Sequence, residues 1–95
     1  MTIQILKLVT GEEIIGDCLT SELSVTIKEP CALQLYPSRS NPEQPVMALV
    51  PYAAYTENHC IDIDMDKIIW MEKPLKELYN KYNDAFGSGI QLAGL

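Results

Sequence analysis

Ninety-five residues are too few for two independent hydrophobic cores, because a chain of this size removes only roughly 60 to 70% of its unfolded surface from water on folding. With 47% hydrophobic and 21% charged residues, the chain has the make-up of one folded globular domain, not of a disordered or fibrous protein. The formal net charge of -6, with seven Lys and Arg in all, weighs against generic polyanion binding, since nucleic-acid affinity comes largely from cations that displace counterions from phosphates.

The opening residues Met1 to Lys7 lack the charged leader and apolar stretch of a signal peptide, and no run approaches the roughly 20 apolar residues that span a bilayer. A cytoplasmic protein without membrane attachment is expected. Cys18, Cys31 and Cys60 are odd in number and widely spaced, which predicts buried, reduced thiols in place of a disulfide framework or a metal site.

From Gln4 to Val9 the apolar residues are β-branched or Leu, and Thr10-Gly11-Glu12 ends the run with a tight-turn signal. A second strand follows over Glu13 to Leu19, with Ile14, Gly16 and Cys18 on one side and Ile15 and Asp17 on the other. Gly16 has no side chain to pack, so it predicts a bend or bulge where the sheet curls over its core. Leu23, Val25 and Ile27 then alternate with Ser24, Thr26 and Lys28 as a half-buried strand. Pro30 interrupts that strand before it resumes through Ala32 to Tyr36, which predicts one long, kinked element.

Residues 37–45 hold three prolines among polar residues and form an exposed loop. Val46 to Tyr55 reads as strand despite Pro51, and Glu57-Asn58-His59 breaks it. Cys60 to Asp64 alternates, Met65-Asp66-Lys67 turns, and Ile68 to Met71 closes the series as a strand apolar on both faces. Leu75, Leu78, Tyr82, Ala85 and Phe86 recur at helical spacing after Pro74, with Gly87 at the capping position. They predict an amphipathic helix over 74–86, within a C-terminal segment 73–87, that covers an open end of its own sheet. A small, flexible tail, 88–95, follows.

Little in this order carries chemistry. Asp62, Asp64 and Asp66 sit at i, i+2 and i+4, so an extended backbone projects all three carboxylates from one face about 6 to 7 Å apart. An EF-hand is excluded, because Lys67 stands where that loop needs Gly and Lys73 where it needs a bidentate Glu. A solvent-facing polar strand edge accounts for the three. His59, the single histidine, adjoins Cys60, and neighbours along a strand point to opposite faces. With no phosphate-binding Gly-rich loop, no His-Glu-x-x-His and no paired Cys motif, no enzyme activity, metal or cofactor is expected.

The residue pattern resembles the Sm-like (Lsm) family in a divergent form. Leu6, Leu8, Gly11, Ile14, Gly16, Leu23, Val25 and Ile27 match the first Sm motif, and Ile61, Ile63, the Met65-Asp66-Lys67 turn and Ile68 to Met71 look like the second. The match covers about half the chain. It implies a mainly β fold: a strongly bent, five-stranded antiparallel sheet in a small barrel of the SH3-like kind over 1–72, followed here by a C-terminal helix. It also implies a homo-oligomeric ring, made by pairing one subunit's fourth strand with the next subunit's fifth. The subunit interface candidates are Val46, Ala48, Val50, Ile68, Ile69, Trp70 and Met71, and Asp64 and Asp66 are candidates to face the pore.

Single-stranded RNA is the ligand the resemblance implies, yet the family's base-binding residues are not matched. Glu22 stands near the family's Asp, Ser24 aligns with its Asn, no stacking ring is present, and Asp64-Met65 occupies the place of Arg-Gly. A carboxylate repeated around a pore opposes RNA entry. A structural or adaptor ring that binds protein partners through its helices and Pro-rich loop is the alternative. The helix after the sheet, where most members carry one before it, is a compact variation of a kind expected in viruses that infect bacteria.

Overall fold

The computed structural model describes residues 2–40 and 43–87. The predicted tail 88–95, together with Asn41 and Pro42 of the predicted loop, lies outside the described residues.

Six strands form one antiparallel sheet: β1 (Thr2–Leu8), β2 (Glu13–Thr20), β3 (Ser24–Tyr36), β4 (Val46–Pro51), β5 (Cys60–Asp64) and β6 (Ile68–Glu72). A 3-10 turn, Met65–Lys67, joins β5 to β6, and helix α1 (Lys76–Tyr82) is followed by a π-helical turn, Asn83–Gly87. The strand order is β4-β3-β2-β1-β6, with β5 also on β3. The fold is therefore mainly β with a C-terminal helix, as the sequence predicts. It has six strands, as the chain-order pattern gives, where the Sm-like resemblance implies five, and the sheet does not close.

The sixth strand arises because β3 is long enough to serve two partners. Its first half, Ser24 to Lys28, pairs with β5, and its second half, Cys31 to Tyr36, pairs with β4. Between the halves β2 and β3 lose register, with Ile15 opposite Cys31 but Asp17 opposite Lys28. One residue of β2, Gly16, thus faces two of β3, Glu29 and Pro30, which is a β-bulge. Glu29 takes a positive φ of 51°, an uncommon conformation for a residue with a Cβ. The predicted kink at Pro30 and the predicted bend at Gly16 are one feature, seen from two strands.

The bulge reverses the side-chain alternation of β3, because a one-residue shift exchanges the faces of every residue beyond it. Val25 and Ile27 lie in the concave core with Leu6, Leu8, Ile14 and Cys18, against Ile61, Ile63, Ile68 and Met71. Cys31 joins Ile15 and Tyr82 in a second cluster on the opposite face, flanked by Ile3, Ile5, Leu33, Leu49, Leu78 and Phe86. The helix therefore packs on a face of the sheet; it does not cover an open end. Leu75 and Ala85, two residues of the predicted stripe, remain exposed.

Two boundaries differ from expectation. β4 stops at Pro51, where Tyr52 donates its N–H to the Pro30 carbonyl (2.8 Å) and a turn closes with Thr56 N–H on the Ala53 carbonyl (3.1 Å). α1 starts at Lys76, because Leu75 is still extended (φ -57°, ψ 150°). No helix among the described residues is long and apolar enough to cross a membrane.

Candidate assembly edges

β6 completes one side of the sheet by pairing with β1, with Leu6 opposite Met71, Lys7 opposite Trp70 and Leu8 opposite Ile68. The register slips between Lys7 and Leu8, and this leaves Ile69 as the extra residue. Ile68 and Met71 turn into the concave core. Ile69 and Trp70 turn out, with 60% and 39% of their surfaces exposed. Among the described residues β1 is the only strand paired with β6, so its other edge carries backbone groups without a strand partner.

β5 has the same one-sided pairing, to β3. Ile61 and Ile63 point inward, while Cys60, Asp62 and Asp64 are exposed. The Thr26 hydroxyl donates to the Asp62 carboxylate across the pair at 2.5 Å. β4 is different. Val46 is exposed and Ala48 and Val50 are half-buried, but the Lys81 ammonium reaches from α1 to the Met47 carbonyl and Pro51 has no N–H to offer. A lysine held over an outer strand and a proline within it both blunt that edge against pairing.

The two pore candidates come together with a residue distant in sequence. Met65 N–H donates to the Leu23 carbonyl at 2.8 Å, which closes the β5 turn onto the β2–β3 link. Glu22, Leu23, Asp64, Met65 and Asp66 then line an open depression of about 590 Å³. The three aspartates do not form the single row that an extended backbone predicts. Asp62 and Asp64 are on β5, but Asp66 lies in the 3-10 turn, where the period of two ends. Among the described residues no three His, Cys, Asp or Glu side chains are placed to hold a metal ion.

No family model matches the chain, and no curated protein matches it.

His59 sits in a positive-φ turn (50°), and its carbonyl accepts the Glu29 N–H at 2.7 Å. Its ring is not brought between a nucleophile and an acid by any hydrogen bond described. Cys60 is exposed, which corrects the expectation that all three thiols are buried: the residue opens β5 on the side away from the concave core. Cys18 and Cys31 are buried, and burial pushes each thiol up to about 11, helped by the charges of Asp17 and Glu29 respectively. The thiolate is the reactive form. Alkylation of the native protein at pH 8 is therefore expected to modify Cys60 alone, with Cys18 and Cys31 reacting only after unfolding; mass spectrometry of peptides labelled with and without denaturant checks this.

Three contributors to the site were not legible as such. Lys81 belongs to the polar side of the helical stripe, and only the docked helix carries it to β4. Glu22 and Leu23 are read from the sequence as link and strand start, and their proximity to Asp64 and Asp66 depends on β3 pairing with β5.

Proposed function

We propose that this chain is a divergent Sm-like subunit which joins copies of itself into a ring and works by binding, without catalysis. The curled sheet is then an open version of that family's small barrel. The carrying observation is the pair of outer edges on β5 and β6, one on each side of the 3-10 turn, both without a strand partner among the described residues. Exposed edges on a small protein must be paired, covered or charged. A head-to-tail pairing of β5 on one copy with β6 on the next satisfies both and closes into a ring when the rotation permits. Of the candidate interface strands, β6 supplies the apolar contact through Ile69 and Trp70, while β4 is guarded by Lys81.

The acidic corner favours a protein partner over RNA. Glu22, Asp64 and Asp66 border one depression, and a ring repeats it in every subunit, which repels a phosphate backbone at that mouth. Light scattering of the purified protein is expected to give a mass that is a whole multiple of the subunit's. Uridine- or adenosine-rich oligonucleotides are expected to be retained at low salt no better than by an acidic control protein of similar size. A stable lone subunit at working concentration refutes the ring, and salt-dependent retention of oligonucleotide moves the ligand to RNA.

A further inference from the structure

The β3 bulge is a junction of four elements, and α1 reaches it through one atom. The Tyr82 hydroxyl lies 3.1 Å from the Lys28 carbonyl and 2.8 Å from the Glu29 carbonyl, the two groups just before the interruption at Pro30. Its single proton is shared between them. The neighbouring Glu29 N–H holds the His59 carbonyl at 2.7 Å, immediately before β5, and the Pro30 carbonyl holds Tyr52 N–H at 2.8 Å, immediately after β4. Both strands on the outer edge of β3 are thus tied to the bulge.

The helix that delivers this hydroxyl cannot stand alone. α1 has seven residues and no side-chain cap at its start, and helices shorter than about 12 residues are marginal in water. It is held by burial of Tyr82 (2% exposed) on Ile15 and Cys31, with Leu78 and Phe86 beside it and the Phe86 ring centroid 5.1 Å from that of Tyr82. Burial also pushes the pKa of the Tyr82 phenol well above its ordinary value, so the donor proton stays in place. Helix formation therefore depends on docking, and docking is what brings the donor to the bulge.

We propose that Tyr82 is a latch: docking of α1 fixes the β3 bulge, the bulge fixes the start of β5, and the helix thereby governs whether the β5 edge is presented for pairing. This rests on the ring reading for its consequence, but the latch itself is measurable in the single subunit. Tyr82 acts through the backbone of Glu29 and is a positioning residue.

The test compares the native protein with Tyr82→Phe, which keeps the ring packing and loses the donor, and with Tyr79→Phe, a matched change on the exposed side of α1. Amide exchange at Glu29 and residues 60–64 is expected to quicken about tenfold in Tyr82→Phe, the effect of losing one hydrogen bond to a part-buried acceptor pair. The concentration at half-assembly is expected to rise by a similar factor, with far-ultraviolet helicity retained. Tyr79→Phe is expected to change neither. Equal exchange in Tyr82→Phe and the native protein overturns the latch, as does an equal quickening in Tyr79→Phe. A native protein that is a single subunit at every concentration overturns the ring and the latch's control of it, while the exchange measurement still decides whether Tyr82 orders β5.

Discussion

Trp70→Asp is expected to convert the assembled protein into single subunits, or to drive it into aggregate, while a comparable change on β4, Val46→Asp, leaves assembly intact. Trp70 lies opposite Lys7 on the sheet's outer face, and its indole is not part of the concave core. A carboxylate there stays solvated in a lone subunit, with the Lys7 ammonium near by. Lys7 is only loosely held by Glu13, at 3.5 Å. With only 39% of its surface exposed, Trp70 also gives up packing within the subunit, and the expected cost to the fold is about 1 to 2 kcal/mol.

The cost to the interface comes on top of this. A tryptophan at the centre of a subunit contact is worth about 2 to 4 kcal/mol, and its replacement also buries a charge against an apolar strand. Each contact is expected to weaken by roughly 30- to 700-fold, since about 1.4 kcal/mol is tenfold, and every subunit of a ring makes two. Sedimentation velocity across a dilution series reads the change, and circular dichroism confirms that the lone subunit is folded. A Trp70→Asp protein that assembles like the native one removes β6 from the interface. Loss of assembly in Val46→Asp instead moves the pairing edge to β4.

The strands that face solvent on one side were the most legible in the sequence. Leu23, Val25 and Ile27 alternate cleanly because Ser24, Thr26 and Lys28 look outward, and β5 reads correctly for the same reason. β2 is harder, because both its faces are covered: Ile14 points into the concave core and Ile15 lies under the helix. Alternation cannot announce a second packed layer, so the stripe of α1 reads in the sequence as a cover for an open end of the sheet, whereas it packs on a face.

The bulge was half legible. Gly16 and Pro30 each signal an irregularity, but only pairing reveals that they are opposite one another and that the faces exchange beyond them. Cys31 and Leu33 consequently lie under the helix, where an uninterrupted alternation from Val25 and Ile27 would turn both toward the concave core. Of the candidate site, Ile69 and Trp70 were legible as an apolar edge. The corner of Glu22, Leu23, Asp64 and Asp66 was not, because it exists through a contact between links about 40 residues apart in sequence.

Gly16→Ala is expected to destabilise the subunit by about 2 kcal/mol or more, the range for forcing a methyl into a packed core. Two effects oppose each other. Replacing Gly within a strand ordinarily stabilises by roughly 0.4 to 1 kcal/mol, because the unfolded chain has less freedom to lose. Here the added Cβ meets the Ile27 Cγ2 methyl at 2.3 Å, with the Lys28 carbonyl oxygen at 3.3 Å and Pro30 Cα at 3.4 Å. Ile27 is fully buried and β-branched, so its methyl has no free rotamer to take. The backbone on the other side belongs to the bulge that ties β4 and β5 to β3. The clash therefore outweighs the entropic gain, and the melting temperature is expected to fall by roughly 10 °C at fixed protein concentration. Truncating the opposing side chain tests the cause: Ile27→Ala leaves a cavity by itself, but in Gly16→Ala/Ile27→Ala the new methyl occupies part of it. The double variant is expected to lose less stability than the sum of the two single losses. Simple additivity, or a Gly16→Ala protein as stable as the native one, contradicts the close approach of β2 and β3 on which the curl of the sheet depends.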